Sequence, residues 1–187
     1  MSPASKRGGP ADQELYVWTD GGARGNPGPA GIGAVVTRPD GTVLAEISEG
    51  IGWATNNVAE YHAVIAGLER AKALGARRVH VRADSLLLVQ QLRGAWKVKN
   101  AGLQPLRDEA LRLVGGFDRV VFEHVPRGRN RAADTLANRA MDAQGPLDAP
   151  AGAVEPPRSG PPNGGTKAGR RSSGGPDGPV QQRFGPL

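Results

Sequence analysis

"YVWTDGGARGNPGP", residues 16–29, decides how the rest of the chain is read. Tyr16, Val17 and Trp18 favour a strand, and the reading places one over 15–19. Asp20 then opens a run of Gly21, Gly22, Ala23, Arg24, Gly25, Asn26 and Pro27. Asp-Gly is ordinary turn chemistry, so Asp20 taken alone is a turn acid. The other reading is that the acid holds a metal and the glycine-rich stretch leaves room for a substrate. What lies downstream has to choose between them.

Two further strands are read at 31–37 and 42–50. They are joined by "RPDG", whose proline followed by Asp-Gly predicts a hairpin. Residues 57–74 are good helix formers ending at Gly75. "RRVHVRAD" alternates polar residues with Val79, Val81 and Ala83, which is a strand, and "SLLLVQQLRG" is a short helix. "LQPLRDEALRLVGGF" is a helix with Pro105 in its first turn and Gly115 at its end. "RVVFEHV" is a fifth strand and "NRAADTLANRAMDA" a last helix. The later strands are separated by helices, which requires parallel crossovers. The expected class is therefore α/β: a mixed five-stranded sheet, antiparallel meander first and parallel strands after, flanked by helices.

The chain has 187 residues, no cysteine and a net charge of +6, with a pI of about 10.3. Thiolate metal sites and disulfide frameworks are excluded. The basic balance favours polyanionic partners. No apolar run approaches the ~20 residues of a membrane span, and the first residues lack the apolar core of a signal peptide, so a soluble, cytoplasmic protein is expected. The folded unit is read as residues 14–143. Residues 1–13 are a loose N-terminal extension, and 144–187 a disordered Gly/Pro-rich tail with basic spots at Lys167, Arg170, Arg171 and Arg183.

Four acids stand out, and each has an ordinary explanation. Glu60 follows Asn57 at capping-box spacing. Asp84 precedes a helix, where an N-cap is expected. Asp134 sits in the first turns of the last helix, where a negative charge is favourable. Together they change the reading. Asp20 and Asp84 leave the C-terminal ends of strands, and Glu60 and Asp134 sit early in helices that pack beside those strands. Glu60 shares a helical stripe with Val64, Gly67 and Ala71, a small apolar face that should meet the sheet. Strand ends in open α/β sheets converge on one rim. Four carboxylates there would repel one another unless divalent cations neutralised them, and Mg²⁺ prefers carboxylate oxygen.

"YVWTDGGARGNPGPAGIGAVV", "ATNNVAEYHAVIAGLERA", "VHVRADSLLLVQQLRG" and "HVPRGRNRAADTLANRAM" resemble ribonuclease H of type 1, in order and with family-like spacing over about 15–141. The wording "VAEY" and "VPR" is similar to the compact, archaeal-like branch. Some members of that branch carry a fused phosphatase domain, which this tail is too short and polar to be. The resemblance implies an endonuclease that hydrolyses the RNA strand of RNA–DNA hybrids, leaving 5′-phosphate and 3′-hydroxyl ends. It implies two Mg²⁺ per active site, with Mn²⁺ as an alternative, held by Asp20, Glu60, Asp84 and Asp134. It further implies substrate contacts from Gly21, Gly22, Asn26, Thr55, Asn56 and Asn57. A monomer is expected, with double-stranded RNA as a further candidate substrate.

Three departures from the family pattern matter. The loop "PRGRNRAA" lacks the histidine many relatives carry before the last acid, and Arg127 or Arg129 is the candidate to handle phosphate instead. His124 is in phase with Val120 and Phe122 and reads as a strand residue. The basic handle of some relatives is absent, leaving Trp96, Lys97 and Lys99 in "RGAWKVKNAG". Leu86 replaces a polar residue used by some relatives toward a 2′-hydroxyl. The rival readings are a non-catalytic nucleic-acid binder, a resolvase or exonuclease of the wider superfamily, and a basic domain whose acids merely cap helices. The complete set of four acids argues against the first, the GNPGP and TNN blocks against the second, and the joint spacing against the third.

Overall fold

The computed structural model describes residues 13–145 and Leu147. The expected extensions, 1–13 and 144–187, lie almost wholly outside the described residues. The elements run β1 (Glu14–Ala23), β2 (Gly28–Thr37), β3 (Val43–Ala54), α1 (Asn56–Ala73), β4 (Arg78–Ala83), α2 (Leu86–Leu92), α3 (Gln104–Val114), β5 (Arg119–His124), a 3-10 turn (Arg127–Arg129) and α4 (Arg131–Gln144). The five strands form one sheet in the order β3-β2-β1-β4-β5. β1–β2 and β2–β3 are antiparallel, whereas β1–β4 and β4–β5 are parallel. This is the expected meander followed by helical crossovers.

One expectation is corrected. β1 does not stop at Thr19 and open into a loop. It continues to Ala23, with Asp20 paired to Gly33 and Ala23 to Ala30. Gly21 and Gly22 are therefore ladder residues, and the turn is confined to residues 24–27. Glycine is a weak strand former, which is why this segment reads as a loop. Packing overrides that preference. A Cβ on Gly21 would fall inside the α1 backbone at Ala59 and Glu60, and one on Gly22 would press on the Met141 side chain of α4.

Helices α1 and α4 lie on opposite faces of the sheet. Leu15, Val17 and Thr19 alternate inward on β1, and Gly67 of α1 seats against Val17 and Thr19. On the other face Gly31 and Gly33 admit the α4 backbone at Ala137 and Ala133. The main core lies on the α1 side. There Tyr61, Val64 and Leu68 pack with Val79, Val81, Leu88, Val89, Leu113 and Phe122. Burying a side chain such as Leu68 or Val64 contributes about 1.5–3 kcal/mol. No helix among the described residues is long and apolar enough to cross a membrane.

Candidate active site

The sheet places the acids by simple alternation. Thr19 faces α1, so Asp20 faces the opposite side, toward α4. Thr19 is also the last β1 residue paired with β4, opposite Ala83. Asp84 thus leaves β4 directly beside Asp20. It does not cap α2, because the Ser85 hydroxyl takes that role by accepting from the Leu88 amide at 3.3 Å. Glu60 is likewise free of capping. The N-cap of α1 is Thr55, whose hydroxyl accepts from the Val58 amide at 3.3 Å, so the Asn57–Glu60 spacing is not used as a capping box. Asp134 occupies the first turn of α4.

The four acids line one cleft of about 380 Å³. Asp20, Glu60 and Asp84 each offer a carboxylate oxygen within 4.8 Å of the others. Asp134 is outside that set of three. Its Oδ1 accepts from Arg127 Nη2 at 2.7 Å. A larger groove, about 540 Å³, lies between β3 and α4, but Glu46 is the one acid lining it and no cluster forms there.

Electrostatics mark the cleft as a place where negative charge is costly. Burial raises the Asp20 carboxyl to about 7, with Asp84 and Asp134 adding to the rise; Arg127 and the Gly21 amide oppose it. Burial, then Asp20 and Asp84, push Glu60 well above the ordinary carboxylate range. Glu60 Oε2 is buried with no hydrogen-bond partner. A buried carboxylate oxygen of this kind needs a cation or a proton. An all-oxygen donor set suits a hard divalent ion such as Mg²⁺ or Mn²⁺, so the residues present fit the metal the sequence implies.

The remaining sequence-selected residues divide into two groups. Gly21, Gly22, Asn56 and Arg127 line the same cleft as the acids. Asn26, Thr55, Asn57 and Arg129 do not. Asn26 stands behind Asn56: its Oδ1 accepts from the Asn56 amide at 3.1 Å, while Asn56 Oδ1 accepts from the Ala23 amide at 2.8 Å. These two bonds tie the β1–β2 turn to the start of α1. Asn57 lies beside Glu60, Tyr61 and Ser85 in a narrow slot next to the cleft. Arg129 is exposed on the 3-10 turn. His124 is the last residue of β5, a strand residue as the sequence implies, but it is exposed where Phe122, in the same phase, is buried. Trp96, Lys97 and Lys99 are exposed, with Trp96 47% accessible.

Sequence reasoning missed three polar residues of the cleft wall, Arg24, Ser85 and Asn138, and one residue behind it, Asn130. Ser85 was legible as a helix start, next to the acid that was preferred for that role. Asn138 is bonded within its own helix, donating from Nδ2 to the Asp134 carbonyl at 2.8 Å, and nothing in the sequence separates it from a surface asparagine.

A profile of the family described as "Reverse transcriptase-like" matches residues 18–140. The "Bifunctional protein Rv2228c" of Mycobacterium tuberculosis is 54% identical over 131 residues, covering 70% of this chain and 36% of that protein. "Ribonuclease HI" of Halobacterium salinarum is 46% identical over 128 residues, 68% of this chain and 64% of that one. The chain thus spans about a third of the mycobacterial protein and just under two thirds of the halobacterial one. Among solved structures, LC11-RNase H1 in complex with an RNA/DNA hybrid is 44% identical with a TM-score of 0.67, covering 70% of this chain and 98% of that one.

Proposed function

This chain belongs to the ribonuclease H family, type 1, and we propose that it hydrolyses the RNA strand of RNA–DNA hybrids as a divalent-metal-dependent endonuclease. The observation that carries the reading is the meeting of Asp20, Glu60 and Asp84 within 4.8 Å, with one Glu60 oxygen buried and unpartnered. Three acids so placed are destabilising without a cation, and a fold keeps such an arrangement where function requires it.

Asp20, Glu60, Asp84 and Asp134 would hold two Mg²⁺, with Mn²⁺ as a substitute. When bound, such ions supply positive charge to the reacting phosphodiester and ease the ionisation of water. The chain's own groups do the rest. Arg127 keeps Asp134 oriented from the cleft mouth and presents the remainder of an exposed guanidinium to phosphate. Asn26 and Asn56 spend their side-chain oxygens within the protein, which leaves both Nδ2 groups as outward donors to backbone or 2′-hydroxyl oxygens. Gly21 and Gly22 line the cleft with backbone alone. Thr55 and Asn57 stand at the N-terminus of α1, which favours a phosphate. Cleavage leaves 5′-phosphate and 3′-hydroxyl ends, and the enzyme acts as a monomer.

The test uses end-labelled RNA–DNA hybrid, duplex RNA and duplex DNA, each with Mg²⁺ or Mn²⁺. Wild type should cut the RNA of the hybrid, and Asp20→Asn should not. Hybrid cleavage that survives intact in Asp20→Asn would remove the metal assignment. Failure of wild type to cut any substrate would favour a non-catalytic binder. The duplex RNA arm decides whether the substrate range extends beyond hybrids.

A further inference from the structure

Asn130 stands at the N-cap position of α4, where asparagine is among the preferred residues because its side-chain oxygen caps a free amide of the first turn. Here it makes no such cap. The side chain turns inward and is 1% exposed. Its Nδ2 donates to the Thr19 carbonyl at 2.9 Å and to Asp84 Oδ1 at 3.2 Å. An amide nitrogen has two protons, and both are used. The orientation is fixed by chemistry, since a carbonyl oxygen cannot donate and so only the NH₂ end can face Thr19. The cost is visible on the other side, where Asn130 Oδ1 is buried with no partner. A helix cap forgone and a buried oxygen left unsatisfied both call for a compensating role.

That role follows from what the two bonds join. Thr19 precedes Asp20 and is the last β1 residue paired with β4. Asp84 is the first residue beyond β4. The Asn130 carbonyl also accepts from the Asp134 amide at 3.1 Å, and its own amide donates to the Arg127 carbonyl at 2.9 Å. One residue therefore touches the strand end that carries Asp20, one oxygen of Asp84, and the backbone turn that sets Asp134 and Arg127. It carries no charge, so it does this without adding a fifth carboxylate to a crowded site.

We propose that Asn130 is a positioning residue of the acidic cluster, holding the Asp84 carboxylate in its metal-binding orientation and fixing α4 to the end of β1. The proposal rests on the reading of the four acids as metal ligands. It is the kind of outer contact that orients a ligand, whose loss weakens metal binding without removing a ligand.

The test uses the full chain as wild type, Asn130→Ala, Asn130→Ser and Asp84→Asn. Mg²⁺ binding is measured by calorimetry without nucleic acid, hybrid cleavage is followed against Mg²⁺ concentration, and melting is recorded in EDTA. Asn130→Ala should bind Mg²⁺ about 10- to 100-fold more weakly. Its half-maximal Mg²⁺ for cleavage should rise in step, with KM for the hybrid unchanged at saturating Mg²⁺. Asn130→Ser, which keeps one donor, should fall between. A variant that melts earlier but keeps wild-type Mg²⁺ dependence overturns the proposal, because Asn130 then only starts a helix. Should Asn130→Ala not fold, wild type decides: the side-chain NH₂ resonances of Asn130 should shift on adding Mg²⁺, and no shift overturns it. Asp84→Asn separates the two levels. Wild-type Mg²⁺ binding in Asp84→Asn removes the ligand reading itself, whereas its loss there with no change in Asn130→Ala removes the positioning role alone.

Discussion

Replacing Asp20 with asparagine should abolish cleavage and yet stabilise the metal-free protein at neutral pH. Below pH 3.8 Asp20 is protonated in both folded and unfolded chains and costs nothing. Above that value the unfolded chain ionises, while the folded one holds its proton up to about 7. The folded state then binds more protons, so stability is lost as pH rises through this window and stays lost above it. At 1.36 kcal/mol per pH unit, the interval from 3.8 to about 7 amounts to about 4 kcal/mol. Asp20 is only partly buried, and water relaxing around it lowers the expected figure to about 2–4 kcal/mol. Asparagine has the same shape and never ionises. The stability difference between Asp20→Asn and wild type should therefore widen by that amount between pH 4 and pH 8. Urea unfolding in EDTA across this range measures it. A difference that does not grow with pH, or that grows in favour of wild type, refutes the electrostatic reasoning. Saturating Mg²⁺ should recover wild type at pH 8, by about 2.7 kcal/mol at one hundred times the dissociation constant, and the variant by less.

Glu60→Gln should behave alike for the same reason. Melting in EDTA at pH 8 should rise, and hybrid cleavage should fall about 100-fold or more, the scale of losing one charge-stabilising group at a reacting centre. Gly33→Ala puts a Cβ into the Ala133 carbonyl and should cost about 3 kcal/mol by urea unfolding; Gly128→Ala, with open space around it, should stay within about 0.5 kcal/mol. Arg127→Ala removes an ion pair whose arginine is 77% exposed, so stability should change by less than about 1 kcal/mol. Because Arg127 lowers both Asp20 and Glu60, its loss should move the acid limb of the pH–rate profile to higher pH; an unmoved limb would show that Arg127 does not act on the cluster.

The sheet was legible because its signals are local. The turn in "RPDG", the alternation of Val79, Val81 and Ala83, and the helix stop at Gly75 each depend on neighbours in the chain. The acids were legible by combination. Glu60 and Asp84 each had a capping explanation, and the structure gives both caps to hydroxyl residues, Thr55 and Ser85. Ser85 stands beside Asp84 and Thr55 directly ahead of the helical residues that lead to Glu60, and a threonine or serine suffices as a cap. The long hairpin was not legible. Gly21 and Gly22 look like loop residues because their fitness for the strand lies in Ala59 and Met141, which are distant in sequence. Asn130 was hidden differently, since its position predicts a helix cap and only the fold reveals that its side chain is used elsewhere.

These hidden features share a cause. A rim holding Asp20, Glu60 and Asp84 within 4.8 Å pushes its own elements apart when no cation is present. The two helices that carry Glu60 and Asp134 therefore need anchorage that does not depend on the metal. Glycines provide it by letting backbone meet backbone: Gly21 for α1, Gly31 and Gly33 for α4. Close contact of this kind excludes water and leaves no side chain to yield, so the helices cannot drift outward to relieve the charge. The glycines that make the end of β1 read as a loop are thus among those that hold the acids together, and local weakness in the sequence coincides with close backbone packing in the fold.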